Sequence, residues 1–97
     1  MHGVAGGVRR IPTELGQLNA LVSLRLGACN LTGAIPVQLA NLSQLEQLLL
    51  GKNQLSGTIP TVMFTALRRL RELYLAFNQL TGQLPSEVGE MASIERL

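Results

Sequence analysis

Leucines recur along this chain at a fixed spacing, and the same polar residues stand between them each time. Three segments fit the template LxxLxLxxNxLxGxIP: LVSLRLGACNLTGAIP from Leu21, LEQLLLGKNQLSGTIP from Leu45 and LRELYLAFNQLTGQLP from Leu70. Their starts lie 24 and 25 residues apart, and Ile94 takes the next position in phase. A constant period of this length predicts a solenoid in which each repeat forms one coil.

The leucine spacing also predicts how the coils pack. In each repeat the second and third leucines lie two residues apart, which puts them on one side of a short strand. One strand cannot bury an apolar side alone, so we expect the coils to stack and their strands to form a parallel sheet. Leu31, Leu55 and Leu80 are predicted to turn inward after the strand. The far wall of the core is predicted to contain Ile11, Leu15, Leu18, Leu39, Leu42, Met63, Leu67, Val88 and Met91.

The asparagine of the template is predicted to hold the bend that follows each strand. Asn53 and Asn78 occupy this position, and Cys29 replaces asparagine in the first repeat. An amide side chain has donors and an acceptor, so it can pair with backbone groups that the bend leaves free. Repeated coil by coil, these side chains form a structural ladder. Cysteine offers only a weak S–H donor, so we expect the Cys29 position to contribute less.

Glycine and proline mark two more bends in each repeat. The template glycines are predicted to lie where a Cβ would hinder a tight turn, and they are Gly33, Gly57 and Gly82. The prolines suit the first position of a short helical turn on the outer side, and they are Pro12, Pro36, Pro60 and Pro85. One extra residue separates Pro60 from Leu70, compared with Pro36 and Leu45. A bulge or a longer outer turn is therefore expected there.

Together these positions closely resemble the plant-type leucine-rich repeat, LxxLxxLxLxxNxLxGxIPxxLxxL, over roughly residues 11–97. The strings CNLTGAIP and NQLSGTIP are similar to those in the ectodomains of plant receptor-like kinases and receptor-like proteins. Similar repeats occur in polygalacturonase inhibitors and in some intracellular scaffolds. The resemblance implies an α/β solenoid. In this fold a right-handed coil carries a short parallel β-sheet on a concave, ligand-binding face and short helical or 3-10 turns on the convex face.

We interpret the chain as a single leucine-rich repeat domain spanning 1–97. Its predicted parts are a partial N-terminal coil at 1–20, repeats at 21–44, 45–69 and 70–93, and a partial repeat at 94–97. Solenoids need polar capping coils at their ends, and the paired cysteines that cap many extracellular members are not found in this sequence. We therefore expect the chain to be a fragment of a longer array.

Composition argues against several other classes of function. The formal net charge is only +2 and there are three aromatic residues, whereas nucleic-acid binding favours a broad basic face or stacking platforms. No apolar run is long enough to predict a membrane span in this chain. Asp is absent, and the single His2 and Cys29 lie far apart in sequence. No spacing typical of a metal site occurs, so we predict a non-enzyme without metal or cofactor; any kinase domain would belong to the parent protein.

Binding is expected on strand residues that point away from the leucine core. Counting in phase gives three rows: Ser23, Gln47, Glu72 and Arg96; Arg25, Leu49 and Tyr74; Ala28, Lys52 and Phe77. From these we select the ligand-binding candidates Ser23, Arg25, Gln47, Leu49, Lys52, Glu72, Tyr74 and Phe77. Tyrosine and arginine often anchor interfaces. The alternative is that Leu49 is incidental and Phe77 tucks into the bend. Because a standard interface uses about 20–30 residues a side, this chain is expected to carry part of a site.

Two sequons for N-glycosylation, at Asn30 and Asn41, favour an extracellular location. Both asparagines flank inward leucines and should face outward. The leading hypothesis is therefore part of a receptor ectodomain, on the extracellular face of the plasma membrane, that binds a protein, a peptide or a wall-derived ligand. The alternatives are a cytoplasmic repeat scaffold, an immune or GTPase-linked sensor, or a secreted inhibitor of a wall-degrading enzyme.

Overall fold

The computed structural model of the chain describes residues 9–82. The predictions for Ile94, Val88, Met91, Arg96, His2 and Pro85 lie outside the described residues. The strands are β1 (Ser23–Arg25), β2 (Thr32–Gly33), β3 (Gln47–Leu49), β4 (Gln54–Thr58), β5 (Glu72–Tyr74) and β6 (Gln79–Thr81). The outer turns are two 3-10 helices, Thr13–Gln17 and Val37–Asn41, and one α-helix, α1 (Val62–Ala66).

The template leucines stack directly on one another in a parallel sheet. Strands β1, β3 and β5 form this sheet in that order. Its register pairs Leu24 with Leu48 and Leu48 with Leu73. Leu48, in the middle, is 0% exposed because a coil covers it on each side. The predicted solenoid of in-register coils is confirmed.

A second parallel sheet follows the bend, and the sequence did not predict it. Strands β2, β4 and β6 lie side by side in it, and Thr58 pairs with Thr81. Each of these strands contains or precedes a template glycine. Gly33, Gly57 and Gly82 have φ values of 80°, 77° and 83°, a region that glycine enters without steric cost. These positions thus need the backbone freedom of glycine, as predicted, but they lie within or directly after short strands and not in a separate tight turn.

The core between the sheets and the outer turns is almost wholly aliphatic. Its buried members are Ile11, Leu24, Leu31, Ile35, Leu39, Leu42, Leu45, Leu48, Leu50, Leu55, Met63, Phe64, Leu67, Leu70, Leu73 and Leu75. The expectation that Leu18 lies in this wall is wrong, since Leu18 is 50% exposed. Its counterparts Leu42 and Leu67 are buried in the following coils. Leu18 follows directly on the first 3-10 helix as its C-cap residue, and its side chain is not covered as those of Leu42 and Leu67 are.

The third outer turn, which contains the extra residue after Pro60, has a different hydrogen-bond pattern from the second. In the second turn Leu42 N–H donates to the carbonyl of Leu39, three residues back, at 3.1 Å. In the third, Leu67 N–H donates to the carbonyl of Met63, four residues back, at 2.9 Å. The added residue thus widens a 3-10 turn into an α-helical turn. This confirms the longer outer turn expected after Pro60.

The prolines lie just before these helices and not inside them. Pro12 and Pro36 are the N-cap residues of the two 3-10 helices and have extended backbone, with ψ of 132° and 139°. Their carbonyls accept the N–H groups of Leu15 and Leu39 at 3.2 Å and 3.1 Å. The prediction that proline takes the first helical position is therefore wrong by one residue. The N–H group of an N-cap residue makes no hydrogen bond within the helix. Proline, which has no N–H group, therefore fits at this position.

The asparagine side chains connect successive coils through backbone groups. Asn53 Oδ1 accepts the N–H groups of Cys29 and Leu31 at 2.9 Å and 3.0 Å, and its Nδ2 donates to Leu26 and Leu50 carbonyls, both at 2.9 Å. Asn78 repeats the arrangement one coil later: it accepts the N–H of Leu55 at 2.9 Å and donates to the carbonyl of Leu50 at 3.0 Å. Cys29 instead makes one contact from Sγ to the Gly27 carbonyl, at 3.3 Å.

Candidate interaction face

Six of the eight ligand-binding candidates named from the sequence lie in the β1–β3–β5 sheet, and the other two, Lys52 and Phe77, follow strands β3 and β5. The register of this sheet aligns Ser23 with Gln47 and Glu72, and Arg25 with Leu49 and Tyr74. Side chains alternate along a strand, so these residues point away from the side on which Leu24, Leu48 and Leu73 are buried. We use the term strand face for Ser23, Arg25, Ala28, Gln47, Leu49, Lys52, Glu72, Tyr74 and Phe77.

Hydrogen bonds between side chains fix the first row of the strand face. Ser23 Oγ donates to Gln47 Oε1 at 2.8 Å, and Gln47 Nε2 donates to Glu72 Oε1. Arg25 joins this row through Nε to Ser23 Oγ, at 3.1 Å, and through Nη2 to Gln47 Oε1, at 3.0 Å. The Arg25 guanidinium is therefore held in place while the residue remains exposed. An oriented and exposed guanidinium loses little side-chain entropy when it binds an anion.

The second row of the strand face is partly apolar. Leu49 and Tyr74 are half-buried, whereas the neighbouring Leu48 is fully buried. The Tyr74 ring lies against the backbone of Gly51, and a Cβ at Gly51 would overlap ring atoms Cδ2 and Cε2. Glycine at this position thus makes room for the ring, and the ring in turn buries Gly51.

The third row lies where the chain leaves each strand. Ala28, Lys52 and Phe77 all have left-handed backbone, with φ of 55°, 61° and 63°. Backbone hydrogen bonds align them, because Ala28 N–H donates to the Gly51 carbonyl and Lys52 N–H to the Ala76 carbonyl. Phe77 is 70% exposed, so the alternative in which it tucks into the bend is wrong. The large apolar side chain of Phe77 is therefore exposed to solvent. Its left-handed backbone conformation costs a non-glycine residue free energy.

Two features of this face were missed by sequence reasoning. Ala, Lys and Phe carry no preference for left-handed backbone, so their residue types gave no indication of the third-row conformation. The contact between Tyr74 and Gly51 crosses from one coil to the next, and only the register reveals it. The sequence feature that could have indicated this contact is a glycine two residues after an outward-pointing strand position.

The predicted glycosylation positions and three further arginines are not among the strand-face residues. Asn30 and Asn41 are exposed, and Asn41 is the last residue of the second 3-10 helix. Arg68, Arg69 and Arg71 are also exposed, and Arg69 Nη1 donates to Gln44 Oε1 at 2.6 Å. Among residues 9–82, no group of three or more His, Cys, Asp or Glu side chains could hold a metal ion. Within the same residues, no helix is long and apolar enough to span a bilayer.

The coil architecture and its ladder of leucine and asparagine define a solenoid of the leucine-rich repeat class. The model of the Leucine rich repeat family matches residues 15–80. The chain belongs to this family.

Solved structures of plant proteins share the fold. A chain of the Arabidopsis receptor kinase HAESA in complex with the peptide hormone IDA and the co-receptor SERK1 is 42% identical, with a TM-score of 0.81 over 93% of this chain. A chain of the BIR3–SERK2 complex from Arabidopsis thaliana is 35% identical, with a TM-score of 0.79 over 91% of this chain. A plant ice-binding protein is 35% identical, with a TM-score of 0.83 over 93% of this chain.

The match is to part of each of these proteins. This chain spans 50% of the matched chain of the BIR3–SERK2 complex, 15% of that of the HAESA complex and 30% of the ice-binding protein. A comparison with curated proteins gives no match.

Proposed function

We propose that this chain is a non-catalytic interaction module for a protein or peptide ligand. We further propose that it forms part of the extracellular ligand-sensing region of a leucine-rich repeat receptor-like kinase or receptor-like protein. One observation carries the proposal: Arg25 and Tyr74 lie on the outward side of the β1–β3–β5 sheet and the exposed Phe77 follows β5, although none of the three belongs to the core. Arginine and aromatic side chains on a preorganised surface are typical anchors of interfaces.

The similar structures support a ligand of this kind. HAESA is bound to a peptide hormone and PEPR1 to AtPEP1 in the corresponding structures. The ice-binding protein shares the same fold at a similar TM-score. The fold therefore does not select the ligand, and the choice between ligands rests on the residues of the strand face.

An extracellular location is part of the proposal. It is supported by the likeness to receptor ectodomains and by the exposure of both sequon asparagines, Asn30 and Asn41. Expression through the secretory pathway of a eukaryotic cell should yield a protein whose mass falls on treatment with an N-glycosidase. Asn30→Gln and Asn41→Gln variants should each lose one glycan. An unchanged mass after glycosidase treatment of the wild-type chain would contradict an extracellular origin.

The interaction role is tested by selecting ligands and mapping where they bind. A displayed library of random dodecapeptides is panned against the 97-residue chain, and each selected peptide is titrated against wild type and against an Arg25→Ala/Tyr74→Ala double variant. We expect the double variant to weaken binding by more than about fivefold, which corresponds to about 1 kcal/mol.

A matched control lies on the outer turns. Val37→Ala/Arg69→Ala changes one exposed apolar and one exposed basic residue away from the strand face. This variant should bind the selected peptides as wild type does. Equal affinity of wild type and Arg25→Ala/Tyr74→Ala for every selected peptide would remove the strand face as the binding surface.

A further inference from the structure

Gly27 and Gly51 hold the same position in successive coils, yet only one of them is covered. Gly51 is buried beneath the Tyr74 ring, whereas Gly27 is exposed. The nearest atom to a Cβ at Gly27 would be the Gly51 carbonyl oxygen, at 3.4 Å, an ordinary van der Waals contact. The counterpart of Tyr74 in the preceding strand is Leu49, and its shorter side chain does not reach Gly27. The protein thus places a ring on one glycine and leaves the same backbone surface exposed one coil earlier.

The surroundings of Gly27 combine positive charge with apolar area. Arg25 lies two residues before Gly27 and is exposed, and Lys52 is exposed where the next strand ends. Leu49 pairs with Arg25 and borders the same surface on the neighbouring strand. We use the term Gly27 site for the exposed backbone of Gly27 with Arg25, Leu49 and Lys52 around it.

The charges of the strand face favour an anionic partner at this site. Arg25 and Lys52 are its two cationic residues, and Glu72 is its one anionic residue. Glu72 is half-buried two strands away from Arg25 and accepts the hydrogen bond of Gln47. A ligand carboxylate near Arg25 and Lys52 therefore meets two exposed cations, and a ligand cation there would be repelled.

The apolar part of the ligand follows from the Tyr74 contact. An aromatic ring already packs on a glycine of this sheet, so the geometry that accommodates a ring on such a backbone is present in the protein itself. A ligand ring placed on Gly27 would contact Leu49 and would continue the row that Tyr74 begins. Arg25 would also lie within reach for a cation–π contact.

We propose that the Gly27 site binds a peptide segment in which an aromatic side chain is followed by a carboxylate. The ring packs on Gly27 beside Leu49, and the carboxylate pairs with Arg25 and Lys52. This inference rests on the proposed interaction role and specifies the chemistry of its ligand.

Four matched peptides serve as probes: acetyl-GSFDSG-amide, acetyl-GSADSG-amide, acetyl-GSFNSG-amide and acetyl-GSFKSG-amide. Each is titrated into the ¹⁵N-labelled 97-residue chain, and the amide shifts of Gly27, Ala28 and Lys52 are followed by NMR. The first peptide should bind most tightly. Loss of the ring or reversal of the charge should weaken binding by about tenfold, and the neutral asparagine peptide should bind less tightly by about threefold.

Gly27→Leu is the variant that should fill the site. The backbone φ of Gly27 is not left-handed and a Cβ there meets only an ordinary contact, so the fold should tolerate a side chain. We expect this variant to bind acetyl-GSFDSG-amide at least about tenfold more weakly than wild type. Arg25→Gln and Lys52→Gln provide a second test that leaves Gly27 unchanged. Both should lose the preference for aspartate over asparagine and keep the preference for phenylalanine over alanine.

The outcomes separate this inference from the proposed function. Equal binding of acetyl-GSFDSG-amide and acetyl-GSFNSG-amide, or unchanged binding to a folded Gly27→Leu variant, would overturn the inference. So would the lack of any saturable shift with all four peptides. None of these results affects the proposed interaction role, which fails if the peptides selected by panning bind independently of Arg25 and Tyr74.

Discussion

Asn53 Oδ1 accepts the backbone N–H of Leu31, 22 residues earlier in the chain, at 3.0 Å. The same side chain donates to the carbonyls of Leu26 and Leu50, in the preceding coil and in its own. The side-chain amide of Asn53 thus pairs with backbone groups of two coils, at the bend between the β1–β3–β5 sheet and the β2–β4–β6 sheet. It is also buried, at 9% exposure, so a substitution cannot be compensated by water.

Replacing Asn53 by leucine should strongly destabilise the fold. Leucine has a similar volume but cannot pair with the N–H groups of Cys29 and Leu31 or with the carbonyl of Leu26. We expect a loss of about 3 kcal/mol or more in the free energy of unfolding, measured by urea denaturation. Asn53→Asp, which keeps the acceptor and loses the donors, should lie between wild type and Asn53→Leu. A loss below about 1 kcal/mol for Asn53→Leu would mean that the bend does not depend on this side chain.

The equivalent position in the first repeat should tolerate substitution much better. Cys29 is half-buried, and its side chain makes a single weak contact with the Gly27 carbonyl. Cys29→Ala should therefore lower the free energy of unfolding by less than about 1 kcal/mol. Urea titrations of Cys29→Ala and Asn53→Ala under the same conditions compare the two positions. Equal losses would contradict the unequal roles that the hydrogen bonds assign to them.

Leu48 and Leu49 are adjacent and chemically identical, but they should respond differently to truncation. Leu48 is fully buried between Leu24 and Leu73, whereas Leu49 lies half-buried on the strand face. Leu48→Ala should cost about 3 kcal/mol through lost burial and the cavity that remains. Leu49→Ala should cost less than about 1 kcal/mol, since its side chain is already partly exposed to solvent. Thermal or urea unfolding measures both, and a larger loss for Leu49→Ala would imply that the strand register is shifted by one residue.

The left-handed backbone at Lys52 predicts an unusual tolerance for glycine. Its φ of 61° costs a non-glycine residue about 1–2 kcal/mol, whereas glycine adds about 0.5–1 kcal/mol of unfolded-state entropy. Lys52→Gly should therefore leave the melting temperature unchanged or raise it, and Lys52→Val should lower it. Gln54→Gly is the matched control, because Gln54 is exposed but lies in β4 with ordinary backbone. A larger fall in melting temperature for Lys52→Gly than for Gln54→Gly would contradict the left-handed backbone at Lys52.

Periodicity was sufficient to predict the stacked core because each leucine has one structural role repeated in every coil. Leu24, Leu48 and Leu73 occupy the same template position, and the sheet pairs them directly. A one-residue shift would move this set to the outer side, so burial itself determines the register. The outward positions of Arg25, Leu49 and Tyr74 follow from the same count.

The remaining differences arise where contacts between coils override local sequence. Leu18 matches the buried Leu42 in sequence, but burial of this position depends on the coils stacked beside it. The β2–β4–β6 sheet forms from short segments such as Thr32–Gly33, which have no alternating apolar pattern. Gly51 is buried because the Tyr74 ring of the next strand packs on it. Gly27 is exposed because the corresponding residue of its next strand is the shorter Leu49. None of these outcomes is encoded in a single repeat.

Hydroxyl-radical footprinting of the chain with a selected peptide ligand tests the central claim most directly. The method reports which exposed side chains a ligand covers, and the strand face and the outer turns both carry reactive residues. We expect the ligand to protect Tyr74 and Phe77 and to leave Val37 and Val62, exposed on the outer turns, as reactive as before. Protection of Val37 and Val62 with unchanged labelling of Tyr74 and Phe77 would contradict the assignment of ligand binding to the strand face.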